Sequence, residues 1–162
     1  MDEIMKTPNQ LNPSVVSIEA GPEIAELERM IASFEVNHSL AELHAIGIDR
    51  LSPDLVEVFK CLDYLADSRL IENDIKNYGK RNPGYVETRK ANIAKARAII
   101  PRLKPEDAWK FEVRLAAQKD MIPITEKLNK LKENTNYERL KAKRLILLRA
   151  IGTLQGDIIN HN

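Results

Sequence analysis

Residues 52–100 read SPDLVEVFKCLDYLADSRLIENDIKNYGKRNPGYVETRKANIAKARAII, and the fold class turns on this stretch. Ser52-Pro53-Asp54 has the chemistry of a helix start. A hydroxyl can accept from an unpaired first-turn amide, a proline at the first position has no N–H to leave unpaired, and an acid faces the positive end of the helix dipole. Leu55, Val58, Phe59, Leu62, Leu65 and Ala66 then recur at three- and four-residue steps, which places them on one broad apolar face. Ile71, Ile75 and Tyr78 extend the pattern to Gly79, so the spacing predicts one rod of about seven turns at 3.6 residues each. Lys80-Arg81-Asn82-Pro83-Gly84 reads as a link with Pro-Gly suited to a type II turn. Val86, Ile93, Ala96, Ile99 and Ile100 give a returning helix whose end Pro101 restricts. A short link between two such helices predicts an elongated antiparallel hairpin near residues 53–100.

Upstream, Pro8, Pro13, Asn9, Asn12 and Gly21 interrupt any helix, and residues 1–21 read as a flexible leader. Pro22 suits a first helical position. Ile24, Leu27, Ile31 and Phe34 follow at a 3-4-3 spacing, a seam of the coiled-coil kind. Ser39 and Glu42 form a capping-box pair for a short helix through Ile46, which Gly47 would stop. Downstream, Pro105-Glu106-Asp107 starts another helix with Ala108, Phe111, Leu115 and Ile122 inward and Trp109 and Val113 beside them. Pro123 is expected to break or kink it. Ile124, Leu128 and Leu131 mark a short stretch, and Thr135 with Glu138 caps a last helix carrying Leu140, Leu147, Ile151 and Leu154. Leu145, Ile146 and Leu148 widen the apolar arc of that helix.

The fold class that follows is all-α, a bundle of about five or six helices. Residues 22–162 form a single domain, divisible into short helices at 22–50, the hairpin at 51–104 and C-terminal helices at 105–162. No stretch alternates as a strand, and no fixed-period repeat is present. A chain of 162 residues with 43% hydrophobic and 30% charged residues can bury a core unaided. The single cysteine, Cys61, permits no internal disulfide and suits a reducing cytoplasm. No apolar run is long enough to cross a bilayer, and Met1-Asp-Glu-Ile-Met-Lys lacks the apolar core of a secretory signal. The expectation is a cytoplasmic protein without a membrane partner.

Enzymatic chemistry finds little support. His38, His44 and His161 have poor metal spacing, and one cysteine cannot complete a zinc set. Asp63 and Asp67, four residues apart, are the best divalent-ion pair, but solvated helix surface is the expected reading. No phosphate-cradling glycine loop, metalloprotease motif or nucleophile elbow occurs. No catalytic, cofactor-binding or metal residue is assigned.

Charge carries more information. The net charge of +1 hides a division: residues 1–75 hold 15 acids and 5 Lys/Arg, whereas residues 76–162 hold 9 and 20. Residues 76–104 contain Lys76, Lys80, Arg81, Arg89, Lys90, Lys95, Arg97, Arg102 and Lys104 against Glu87 alone. A second basic group is Arg139, Lys141, Lys143, Arg144 and Arg149. Two functions fit. The first is a non-enzymatic helical assembly or adaptor protein, meeting a protein partner or a copy of itself through Ile24, Leu27, Ile31 and Phe34. The alternative is a nucleic-acid-binding accessory protein that holds phosphates with Lys80, Arg81, Arg89, Lys90 and Arg97 on one helical face. The two diverge on one point: whether the acidic half lies against the basic residues or leaves them open.

Overall fold

The structure is a computed structural model that describes residues 15–45 and 51–151. Among these residues eight α-helices and no strand occur, so the fold is an all-α bundle. The helices are α1 (Val15–Asn37), α2 (Leu40–Ala45), α3 (Pro53–Phe59), α4 (Leu62–Ala66), α5 (Arg69–Tyr78), α6 (Pro83–Ile99), α7 (Pro105–Asn129) and α8 (Tyr137–Ile151). A single 3₁₀ turn, Ile100–Arg102, links α6 to α7.

The expected leader and first helix need correction. Helix α1 begins at Val15 and carries Pro22 inside it. Proline removes one backbone donor and crowds the residue before it, but that residue is Gly21, which has no Cβ to clash. Residues 1–14 of the expected leader, the stop at Gly47 and Leu154 lie outside the described residues, as do the side chains of His44 and His161. Ser39 does cap α2, its Oγ accepting from Glu42 N at 3.0 Å.

The expected rod is three helices. Ser52 caps the first as the sequence suggests, accepting from Leu55 N at 3.2 Å. The helical path then breaks at Cys61, whose backbone leaves the helical region (φ −125, ψ 29) and whose amide bonds three residues back to Val58. It breaks again at Asp67, which is extended (φ −141, ψ 100). There the Asp67 carboxylate accepts from Arg69 N at 3.0 Å. A short polar side chain that bonds the nearby backbone competes with helix propagation, and Asp67 does so here. The antiparallel return survives the breaks. Glu57 meets Lys95, Cys61 meets the Asn92 carbonyl, and Tyr64 meets Tyr85, so position rises on one arm as it falls on the other. Pro83-Gly84 is not a type II turn. Asn82 accepts from Tyr85 N at 3.2 Å and Pro83 opens α6.

Helix α7 is the central element and packs against α1, α3, α4 and α8. It continues through Pro123, so the expected break does not occur. A mid-helix proline costs about 3 kcal/mol. Met121, Ile124 and Leu128 are buried on either side of it, and each fully buried side chain of this size contributes roughly 1.5–3 kcal/mol. The register is therefore worth keeping, and Pro123 itself faces outward. The inward stripe of α7 is Phe111, Arg114, Ala117, Met121, Ile124 and Leu128. Of the residues expected inward, only Phe111 is buried; Ala108, Leu115 and Ile122 lie at the flank.

Arg114 explains the shifted stripe. It is 1% exposed, and its guanidinium donates to Ala150 O (2.7 Å) and Ile151 O at the end of α8 and to Leu43 O (2.7 Å) in α2. The last carbonyls of a helix lack internal donors and carry the negative end of its dipole. A buried cation supplies both needs and ties two helix ends to the centre of α7. Burial pushes the Arg114 pKa down to about 10, so it stays charged at neutral pH. Helix α8 starts differently from expectation. The half-buried loop is organised by Asn134, whose Oδ1 accepts from Asn136 N at 2.8 Å, and not by a Thr135–Glu138 box.

The stripe assigned to a partner is filled by the chain itself. Ile24, Leu27, Ile31 and Phe34 are 8, 0, 1 and 3% exposed within the common core, where α1 lies on α7. A 3-4-3 apolar spacing records that a helix buries one face, and here the covering element is 80–100 residues further along the same chain. These side chains have no free surface to offer a second molecule.

Candidate polyanion-binding surface

The acidic half meets only part of the basic half. Three ion pairs run from α1 to the C-terminal helices: Glu26–Lys127 at 3.0 Å, Glu28–Arg139 at 2.9 Å and Glu35–Lys143 at 3.7 Å. His38, at the end of α1, stacks on Phe34 and bonds Asp120 Oδ2 at 2.7 Å. Four of the five residues of the second basic group thus have partners within the chain: Arg139 and Lys143 pair with α1, Lys141 lies over the Tyr137 ring, and Arg144 donates to Thr125, while Arg149 is exposed.

The α5–α6 hairpin is different. Lys95 reaches Glu57 at 3.3 Å and Lys90 reaches Glu87 at 3.6 Å. Lys76, Lys80, Arg81, Arg89, Arg97, Arg102 and Lys104 have no carboxylate partner among the described residues, and all but the half-buried Arg89 are exposed.

The five expected phosphate contacts do not share one face. Lys90 and Arg97, seven residues apart, fall within about 20° of each other around α6 and about 10 Å apart along it. Arg89 lies on the inward stripe between Val86 and Ile93, since a step of eight from Arg97 turns it about 80° away. Its guanidinium sits 4.8 Å from the Tyr85 ring centre, and its Nε is buried without an acceptor. Arg81 folds back at the tip, donating to Asn77 O at 2.7 Å and covering the Tyr78 ring at 5.6 Å. Lys80 is exposed beside it. The surface that remains consists of Lys80 at the tip with Lys90 and Arg97 along α6, while Arg89 and Arg81 brace the aromatic hinge beneath.

Tyr78 and Tyr85 flank the turn in the sequence, but the contact between them and the part of Tyr64 emerge only from the structure. Tyr78 and Tyr85 meet edge to face at 5.6 Å across the turn. Tyr64 OH donates to Asp74 at 2.6 Å and lies 3.5 Å from Tyr85 OH. Burial, followed by these hydrogen bonds, raises the Tyr64 phenol far above its usual range, so it remains a donor. The three tyrosines hold α5 against α6, although α5 has no buried residue of its own. Their positions at 64, 78 and 85 were the available signal, since they close on one another only when the chain doubles back at Gly79–Asn82.

Catalytic groups are sparse. Burial, with the nearby Asp63 charge, pushes the Cys61 thiol up to about 11, which leaves it unreactive at neutral pH. Asp63 lies in α4 and Asp67 closes its C-terminal end, but both Asp67 oxygens are taken by Arg69 at 2.9 Å, so the pair does not offer two free carboxylates. No group of three or more metal-ligating side chains occurs among the described residues. No described helix is long and apolar enough to cross a membrane. Comparison with known proteins returns no match among family models, curated proteins or solved structures.

Proposed function

We propose that the protein is a non-enzymatic binding protein whose α5–α6 hairpin engages the phosphate backbone of a nucleic acid. The observation that supports this reading is the distribution of ion pairs. Three acids of α1, Glu26, Glu28 and Glu35, pair with α7 and α8, while seven of the nine bases between Lys76 and Lys104 keep no carboxylate partner among the described residues. Bases on an open helix bind phosphates through charge and release of condensed counterions, without reading sequence. The test is fluorescence anisotropy of the full chain with a labelled duplex and a labelled single strand at about 50 and 200 mM salt. The expected dissociation constant is on the order of 10⁻⁴ to 10⁻⁶ M at physiological salt, weakening steeply as salt rises. Absence of binding at low salt, or binding indifferent to salt, would overturn the proposal.

A protein-contact reading keeps one specific support. Adjacent Leu145 and Ile146 on α8 are 37% and 56% exposed although the helix is otherwise well packed. If they form an interface, the chain sediments as an oligomer and the double change Leu145→Glu, Ile146→Glu returns it to a monomer.

A further inference from the structure

Of the three tyrosines between α5 and α6, Tyr64 is buried and Tyr85 half-buried, whereas Tyr78 is 42% exposed. Ile75, one turn earlier on α5, is 44% exposed. Single open apolar side chains are ordinary; this pair stands apart by its surroundings. From Ile75 to Val86 the chain carries Lys76, Lys80 and Arg81 and no acid. The bracketing acids are occupied, Asp74 by Tyr64 OH at 2.6 Å and Glu87 by Lys90 at 3.6 Å. The exposed ring is also held in place. Gly79 N donates to Ile75 O at 2.9 Å and Asn82 N to Tyr78 O at 2.6 Å, while Tyr85 meets the Tyr78 ring edge to face. Arg81 lies 5.6 Å from the ring centre and donates one N–H to Asn77 O. A guanidinium has further N–H groups to give to another acceptor. The hairpin tip thus combines a braced, open aromatic ring with bases that no neighbouring acid neutralises.

We infer that this tip takes single-stranded nucleic acid, with one base stacked on Tyr78 and the flanking phosphates on Lys80 and Arg81. The inference rests on the nucleic-acid reading of the hairpin and adds which form of the polymer is preferred. In a duplex each base is already stacked between its neighbours, so a protruding ring gains nothing from the base faces. A single strand leaves those faces open, and stacking on an aromatic side chain tolerates any sequence. Charge alone favours the opposite choice. Each neutralised phosphate frees about 0.9 of a condensed ion on duplex DNA and about 0.7 on a single strand. A preference for the single strand is therefore the signature of the ring. Salt sharpens it, because screening weakens the phosphate contacts of both forms and leaves stacking largely intact.

Fluorescence anisotropy of the full chain tests this with three labelled probes of about 12 units each. They are a mixed-sequence single strand, the duplex it forms with its complement, and an abasic sugar-phosphate strand. At about 200 mM salt the single strand should bind tightest, by at least about fivefold over the other two. Tyr78→Leu should bring the single strand down to the abasic level and leave the duplex within about twofold of wild type. Tyr78→Phe, which keeps the ring, should bind as wild type does. The wild-type comparison of base-bearing with abasic strand decides the matter even where a variant folds poorly. Three results overturn the inference and leave the phosphate-binding reading in place: equal binding of base-bearing and abasic strands, a duplex bound as tightly as the single strand at this salt, or undiminished single-strand binding by a folded Tyr78→Leu protein. Failure of every probe to bind at about 50 mM salt removes both. Phosphatidylserine vesicles bound in their place would assign the tip to a membrane surface and equally overturn the inference.

Discussion

The α7-centred core and the α5–α6 hairpin are built from similar proportions of charge and put it to opposite uses. In the core, charge is internal: Arg114 closes two helix ends, and α1 acids hold bases of α7 and α8. In the hairpin, α5 has no fully buried residue, three tyrosines add to the cohesion, and most of the bases face water. The difference teaches that a split in net charge along a chain is no guide by itself to where a charged partner binds. What matters is which bases the fold has already used.

The largest effect should come from the core. Arg114→Met removes three charge-assisted hydrogen bonds and leaves carbonyls at Leu43, Ala150 and Ile151 without their donor. Relief of the buried charge offsets part of that loss, so a net destabilisation of about 2–4 kcal/mol is expected in urea unfolding. A change under about 0.5 kcal/mol would mean that the core does not depend on this residue.

Next comes Asp63, which sits where the two regions join. Burial, as the leading cause, raises its folded pKa above the ordinary 3.8. The charged form is therefore disfavoured in the fold, a penalty fully present above the raised pKa that fades as pH falls towards 3.8. Asp63→Asn should raise the melting temperature at pH 7, with the gain shrinking as pH drops through that window. A gain that grows on acidification would contradict the sign.

Thiol labelling probes the same junction. With its pKa near 11, Cys61 should react with a disulfide reagent at pH 8 only as fast as the protein unfolds, and at full speed in denaturant. The smallest effect belongs to the surface pairs: Glu28→Gln should cost at most about 0.5 kcal/mol, and less at high salt.

Much of the architecture was legible in the sequence. The Ser52-Pro53 start, the Ser39 cap and the doubling back between Tyr78 and Tyr85 follow from local chemistry, and local chemistry is what a sequence displays. The breaks at Cys61 and Asp67 were hidden because the apolar spacing continues across them, while the determinants lie in backbone bonds made by short side chains. The α7 stripe was misplaced because its centre is an arginine, which no apolar pattern admits. The seam at Ile24, Leu27, Ile31 and Phe34 was read correctly as buried and wrongly as intermolecular, because periodicity names a covered face and not its cover. Arg89 was grouped with Lys90 and Arg97 by proximity in sequence, although an eight-residue step turns it inward.

The central claim is that the two basic groups have different jobs, and paired charge reversals test it directly. Lys90→Glu with Arg97→Glu in the hairpin is compared with Arg139→Glu and Lys143→Glu, which pair with α1, each assayed by duplex binding at low salt and by melting temperature. The account predicts that the hairpin variant loses at least about tenfold in affinity and keeps its melting temperature, while the core variant melts lower and binds within about twofold of wild type. Equal losses of affinity in both would show that binding follows net charge alone, and would contradict it.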